Sequence, residues 1–469
     1  MPPRQIPLFG GAALGVLAVI GFGRDAQADE IHVFPGGLVQ AAIDAAFDGD
    51  EIIVHQGTYY GPVDLLGKAI TLRSTEPENP SVVENTVLDG NGAPHVVCCD
   101  SGEGQDTVIA GLTITGGDAD GTPPEDRGGG VFCCDGSSPI VLRCVITDNH
   151  AEEGGGGIGC YSDSSPTISR CTIAGNTATS FGGGVYCSTH ADPILIDTHI
   201  VGNTAELQGA GVYCHTSSNP TISRCTITAN TAASLKGGGV YCYYYSSPLL
   251  LNCAITGNTA GDRGGGVACG YESHPTITNC TVTENTALDD GGGVFCWQDA
   301  MPTITNCILW HDSPQEFYVD GSSEPAVTYC DVQGGWSGTG NINVDPNFAD
   351  APGEDFHIAS GSPCIDAGTN YGEPRDMIVD LDGNPRFVDD PDTDDTGAGP
   401  PPIVDMGCYE YQVSEPCPAD ITGDDMVDVL DLLEVLGQWG GAGSADITGD
   451  GVVDVLDLLE VLGAWGPCR

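Results

Sequence analysis

The chain has 469 residues, with 66 acidic side chains against 13 basic ones, a formal charge of −53, and 21 cysteines. Such a charge repels nucleic-acid phosphate and anionic membrane surface, which removes both as partners and leaves cations, calcium first. The cysteine load is foreign to a reducing cytosol and points to export.

Arg4, an apolar run from Ile6 to Phe22 and the small-residue site Ala26-Gln27-Ala28 make residues 1–28 read as a signal peptide cleaved near Ala28. The run is too short and too rich in glycine to make a membrane span, and no later segment is apolar enough to cross a bilayer. The expectation is a secreted protein, extracellular or at the cell surface. In residues 29–125, Gly37 to Phe47 reads as a short amphipathic helix, followed by Gly49-Asp50-Glu51-Ile52-Ile53-Val54 and Gly57-Thr58-Tyr59. This opening resembles that of the pectin-lyase-like β-helix superfamily, in which a helix caps the first coil.

Residues 126–330 repeat. GGGVFC ending at Cys133 returns, with small changes, at Cys160, Cys187, Cys214, Cys242, Cys269 and Cys296, in steps of 27 residues and one of 28. Eleven residues after each comes a second column, Cys144, Cys171, Cys225, Cys253, Cys280 and Cys307, with Thr198 in the one missing place. A third column is Asn149, Asn176, Asn203, Asn230, Asn258 and Asn285. Short β segments broken by Gly, Ser-Pro and Asn-Thr-Ala turns, with no amphipathic helix among them, predict an all-β solenoid, a right-handed parallel β-helix with one repeat per coil. The spacing of Ile168, Cys171 and Ile173 predicts two inward-facing strands with a bend between them. The asparagines suit an internal amide ladder, and the glycine triplets a turn with positive φ.

Both cysteine columns are expected to face the core, where a free thiol behaves as a small apolar residue. Parallel strands hold Cβ atoms about 4.8 Å apart, wider than the roughly 3.8 Å of a disulfide. A mostly reduced stack and scattered disulfides both stay open, a metal column less so for want of a tetrahedral ligand spacing. From 331 to 413 the period loosens through Cys364-Ile365-Asp366, Asp380-Leu381-Asp382-Gly383 and Asp405-Met406-Gly407-Cys408, read as last coils and a closing region resembling that of secreted β-helix proteins with interchangeable anchoring ends. Cys417 with Cys468, and Cys364 with Cys408, are the expected disulfides.

Residues 417–468 hold a tandem pair, ADITGDDMVDVLDLLEVLGQWG from Ala419 and ADITGDGVVDVLDLLEVLGAWG from Ala445, identical at 19 of 22 positions. Each copy offers oxygen donors at loop positions 1, 3, 5, 9 and 12 and a backbone carbonyl at 7, the set that wraps a hard cation. They are Asp420, Thr422, Asp424, Met426, Asp428 and Asp431, then Asp446, Thr448, Asp450, Val452, Asp454 and Asp457. The pattern resembles type I dockerins, which implies two calcium ions, an α-helical module folded by them, and docking onto a cohesin-like domain or cell-surface scaffold partly through Val429-Leu430 and Val455-Leu456. These pairs are more apolar than the Ser-Thr pair of well-known cellulosomal members, and Asp425 replaces the usual loop glycine.

A lyase needs a strong base near calcium-binding carboxylates, and a glycosidase needs paired carboxylates. Arg143, Arg170 and Arg224 share one repeat position with Asp197, Asn252, Asn279 and Asn306, which reads as a ladder position, and Asp289-Asp290 reads as a solvated turn. With Val and Cys of GGGVYC inward, the residue between them points out, giving the aromatic column Phe132, Tyr186, Tyr213, Tyr241 and Phe295, flanked by Tyr161, Tyr243, Tyr245 and Trp297. Such a stripe suits stacking on sugar rings, or serves as packing if turns fold over it. The leading reading is a non-catalytic scaffold, adhesin or glycan-binding β-helix; the alternative is a carbohydrate-active enzyme, a polysaccharide lyase or glycoside hydrolase, delivered by the dockerin-like end. Basic residues beside clustered carboxylates would favour the enzyme, and an exposed aromatic stripe would favour binding.

Overall fold

The computed structural model describes residues 6–8, 28–371, 378–412, 419–422, 426–441, 443–449 and 451–467. Most of the expected leader, with Asp424, Asp450, Cys417 and Cys468, lies outside them.

One repeat is one coil of a parallel β-solenoid. In the coil that begins at Ile140, strand Ile140–Leu142 belongs to sheet A, Val145–Thr147 to sheet B, His150–Ala151 to the narrow sheet D and Ile158–Tyr161 to sheet C. The chain then re-enters sheet A at Thr167–Ser169, paired in register with Ile140–Leu142. About ten coils stack this way, sheet C alone having ten strands. The A–B corner is a single left-handed residue, at φ 52° in Arg143 and 53° in Arg170. That one residue resets the alternation, so Val141, Cys144 and Ile146 all face inward and are fully buried. Val131 and Cys133 of sheet C close the same core.

The asparagine column is a ladder. Asn203 Nδ2 donates to Asn230 Oδ1 at 3.0 Å and to the Ile173 carbonyl at 2.9 Å, while its own Oδ1 accepts from Asn176 N and Nδ2, both at 3.0 Å. The third glycine of each triplet leaves room for this: a Cβ on Gly130 would lie 2.9 Å from Asn149 Nδ2. The first is the turn, with φ +65° at Gly128 and +59° at Gly182. The ladder ends on Asp312, whose Oδ1 accepts from Asn285 N at 2.7 Å and Nδ2 at 2.9 Å. Burial, then the neighbouring Asp312 carboxyl, pushes Glu316 well above the carboxylate range.

Helix α1 (Val39–Ala45) buries Val39, Ala42 and Ile43 against the first coil. Helix α2 (Pro80–Glu84) is capped by Asn79, whose side chain accepts from Ser81 N. The region after Cys330 lies along the corner column of the coils: Asn252 Nδ2 donates to the Val379 carbonyl at 2.9 Å, Asn306 Nδ2 to that of Thr369 at 3.0 Å, and Gly407 N to that of Asn306 at 2.8 Å. Arg386 is fully buried there, its Nη2 donating to the carbonyls of Asp405 and Gly407 at 2.9 and 2.7 Å.

A second unit is formed mostly by the residues after Tyr411. Its helices α3 (Val429–Gly437) and α4 (Val455–Gly463) pack around Ala419, Val427, Val435, Ala445, Val453 and Val461. Strand Met426–Val427 pairs antiparallel with Gly466–Pro467. Among the described residues, no helix is long and apolar enough to cross a membrane.

Candidate functional site

The outward column of sheet C runs in register through Cys98, Phe132, Gly159, Tyr186, Tyr213, Tyr241, Ala268 and Phe295. Phe132, Tyr186, Tyr213, Tyr241 and Phe295 are only 1–3% exposed, so of the two alternatives for this column it is packing under the turns, and not an open glycan stripe, that the fold realises. The loop between sheets D and C folds over them as a second row, bridged coil to coil through Arg127, Gly154, Phe181 and Gln208 and again through Lys236, Arg263 and Asp290. Phe181 sits 5.1 Å from the Tyr213 ring, and a Cβ on Gly154 would lie 2.5 Å from that of Tyr186. The rings form a second core between sheet and roof.

The aromatic surface is one step further along the strand. His215, Tyr243, Gly270 and Trp297 share the next register position, and the turn that follows carries Tyr244, Tyr245 and Tyr271. His215 and Tyr243 stack at 5.8 Å, Tyr244 and Tyr271 at 5.0 Å, and Tyr243 and Trp297 at 6.1 Å with only 11° between planes. The last pair meets across Gly270, where a Cβ would fall 1.9 Å from Trp297 Nε1. Tyr244, Tyr245 and Tyr271 remain 36–44% exposed.

Their backbones are unusual for tyrosine. The turn needs two successive left-handed residues, and other coils supply Ser162-Asp163, Thr216-Ser217 and Gln298-Asp299. Here Tyr244, Tyr245 and Tyr271 adopt φ of 58°, 64° and 55°. A left-handed conformation costs a bulky L-residue about 1–2 kcal/mol, offset here by the stacking of the three rings on one another. The sequence had shown Tyr243 and Tyr245 but not the turn that gathers Tyr244 and Tyr271 with them.

The aromatic face continues into charge. Lys236 Nζ lies 5.1 Å from the Trp297 ring centroid and 2.9 Å from Asp262. Arg263 Nε is 3.6 Å from Asp262 and 3.4 Å from Asp290, and its Nη2 is 3.8 Å from Asp289. Asp289 and Asp290 are therefore members of an ion-pair row that also flanks Phe295, over which Arg263 lies at 5.5 Å. Arg143, Arg170 and Arg224 stand at the opposite side of the coil, in the A–B corner.

In the second unit, Asp431 Oδ1 accepts from Ile421 N at 2.8 Å and Thr422 N at 3.0 Å, and its Oδ2 from Asp428 N at 2.8 Å. Asp457 Oδ1 accepts likewise from Thr448 N at 2.9 Å and Oδ2 from Asp454 N at 2.8 Å. Hydrogen bonds from the loop hold both carboxyls below the ordinary range and ionised, against some burial at Asp431. Both loops thus close onto their twelfth residue, while Asp428 Oδ1 accepts from Leu430 N at 2.6 Å, Asp454 Oδ1 from Leu456 N at 2.8 Å and Asp446 Oδ2 from Gly451 N at 2.8 Å; Asp420, the first position of its loop, also lies among the described residues. Met426 and Val452 stand at the carbonyl position. Val429, Leu430, Val455 and Leu456 are about half exposed on α3 and α4, each 49–52%.

The 19 described cysteines are free thiols. Cys364 and Cys408 do not form the expected bridge: Cys364 Sγ donates to Asp331 Oδ2 at 3.4 Å, while Cys408 is seated on the coils, its N donating to Thr281 Oγ1 at 3.1 Å.

A family model described as "Right handed beta helix region" matches residues 67–205, 101–262 and 210–340, together more than half of the chain. No curated protein matches. Among solved structures, pectate lyase Pel9A is similar over 82% of this chain and 97% of its own, at 12% identity and a TM-score of 0.48. A pectin methylesterase from Yersinia enterocolitica is similar over 61% of this chain and 90% of its own, at 14% identity and a TM-score of 0.30. At such values neither likeness bears on what this chain acts on.

Proposed function

The chain belongs to the right-handed β-helix family, and we propose that it is an exported, carbohydrate-active member that holds a polysaccharide across the face of His215, Tyr243, Tyr244, Tyr245, Tyr271 and Trp297. The observation that carries this reading is the set of three tyrosines kept in left-handed turn positions, where other coils place Ser162-Asp163, Thr189-His190, Thr216-Ser217 and Gln298-Asp299. Flat, amphipathic rings along one side of a rigid rod suit a chain of sugar rings. In this reading the dockerin-like end binds two calcium ions and attaches the protein to a cohesin-like domain or cell-surface scaffold, with Val429, Leu430, Val455 and Leu456 in the contact.

The test is affinity electrophoresis of the whole protein against a panel of soluble polysaccharides. Removing two stacking rings in Tyr244→Ala/Tyr271→Ala is expected to lose about 2–3 kcal/mol, or roughly 30- to 150-fold in affinity. No retardation of the native protein by any polymer, or equal retardation of the variant, would sink the reading.

Cleavage, as a polysaccharide lyase or glycoside hydrolase, is a second reading, and one observation favours it over a purely passive scaffold or adhesin. Lys236 and Arg263 lie among Asp262, Asp289 and Asp290 where the aromatic face ends on Trp297. A base and paired carboxylates beside a polymer track are what such chemistry requires. New reducing ends or an unsaturated product from the retarding polymer, abolished in Lys236→Met with retardation unchanged, would establish it. Retardation without products would leave binding alone.

A further inference from the structure

On the other side of the coil the A–B corner repeats one left-handed residue: Arg143, Arg170, Asp197, Arg224, Asn252, Asn279 and Asn306. Asparagine tolerates this conformation best, and the later coils use it. There it has a task, since Asn252 and Asn306 donate their amides to the carbonyls of Val379 and Thr369 and so seat the segment that closes the solenoid. The corner column is a seam onto which something else is laid.

In the earlier coils the seam is arginine. Arg143 and Arg170 follow paired strands of adjacent coils, so their backbones are about 4.8 Å apart and like charges face each other. Only 13 of the 469 residues are basic, so two neighbouring guanidiniums are a rare expenditure in this chain. Intramolecular carboxylates neutralise them unevenly. Arg143 Nη2 lies 2.8 Å from Glu78, while Asp197 lies 2.7 Å from Arg224 Nε but 3.7 Å from Arg170 Nε, beyond hydrogen-bond distance. The Arg170 side chain is 56% exposed.

Both arginines line a hollow of about 220 Å³ together with Pro77, Pro80 and Val83, the last two on helix α2, and with Val145 and Thr172 of sheet B; Glu78, the partner of Arg143, stands at its exposed rim, so Arg170 is the donor left open to a ligand. Planar guanidinium forks match an oxyanion, and the proline and valine wall suits an apolar or sugar body attached to it.

We infer that this hollow binds an oxyanion carried on a small organic body, such as an acidic sugar, with Arg170 as the donor and Arg143 beside it. The site is separate from the tyrosine face and stands or falls without it.

The experiment is isothermal titration of the whole mature protein with galacturonate, with glucose as the neutral analogue and with sulfate as the bare oxyanion. Galacturonate is expected to bind and glucose not. Arg170→Gln is expected to weaken galacturonate by about tenfold or more, the loss of one charge-assisted hydrogen bond. Arg127→Gln, whose guanidinium pairs with Asp126 and Glu153 and does not line the hollow, is expected to bind as the native protein does. Sulfate as tight as galacturonate would support a site for the oxyanion itself, and tighter galacturonate a site for the acidic sugar. No binding of either anion, equal binding of glucose, or native affinity in an Arg170→Gln protein of native melting temperature overturns the proposal.

Discussion

Replacing Asn203 by alanine tests whether the amide ladder holds adjacent coils together. The change takes the donor from the Ile173 carbonyl and the acceptor from Asn176 N, both buried, and takes one of two partners from Asn176 Nδ2 and Asn230 Oδ1. At about 1–3 kcal/mol for each orphaned buried group, two orphans amount to roughly 4 kcal/mol. A solenoid loses its coils locally, so the loss is read by hydrogen exchange of the coils around Asn176 and Asn230 together with urea denaturation. Asn203→Asp can still accept from Asn176 but cannot donate onward when ionised, and burial should raise its pKa. Its penalty is therefore expected to shrink as pH falls and the carboxyl takes up a proton, as at Asp312, where the ladder needs only an acceptor. Native-like exchange in Asn203→Ala, with a stability change below about 1 kcal/mol, would refute the reasoning.

His357 hydrogen-bonds Asp355 at 2.6 Å and Asp382 at 2.8 Å. Burial alone would lower its pKa, but the two carboxylates outweigh it and hold the imidazole above its ordinary value of 6.5. Its contribution is then full below that value and lost as pH rises through the folded pKa, so the difference in unfolding free energy between the native protein and His357→Gln is expected to narrow from pH 6 towards alkaline pH, by about 1 kcal/mol or less at this partly exposed site. In the dockerin-like unit, Asp431→Ala is expected to halve the calcium bound, from two ions to one, in a titration followed by circular dichroism; unchanged stoichiometry would remove Asp431 from the ligand set. Among the 19 described cysteines, thiol titration of the native protein is expected to reach the half-buried Cys98 and Cys134, with the other described thiols reacting after denaturation.

The coil period, the two inward thiol columns and the asparagine ladder were legible because each repeats at a fixed register, and a position that repeats in every coil meets its own copy above and below. Legibility failed where a segment crosses from one place to another. Phe132, Tyr186 and Tyr213 do point outward, yet strand alternation carries no information about the loop through Gly154, Phe181 and Gln208 that returns over them. The signal was in the glycines, since Gly154 leaves room for the Tyr186 ring. Tyr244 and Tyr271 escaped because the left-handed pair in the turn has no fixed residue type across coils. Cys364 and Cys408 were expected to pair, whereas the path of the closing region seats each against a different coil.

The thiol columns show how one register uses a reactive group and keeps it unbridged. A chain with 21 cysteines invites disulfides, yet stacked parallel strands hold equivalent Cβ atoms about a full ångström too far apart for one. Neighbours in the column still interact: a hydrogen bond to the adjacent thiol, then burial, pushes Cys99 and Cys296 well above the ordinary thiol range. Thiolate is the species that oxidises and exchanges, so it is suppressed at these two positions, whereas at Cys144, Cys253 and Cys307 of the second column burial is outweighed by hydrogen bonds from neighbouring thiols and backbone and the shift is downward. Thr198, in the single gap of the second column, takes the place of a thiol there, because its hydroxyl donates to the Ile196 carbonyl at 2.9 Å where cysteines elsewhere make the same i−2 contact through sulfur. What the position requires is a small side chain with one hydrogen to give to the corner of the coil, and sulfur meets that need while filling the core.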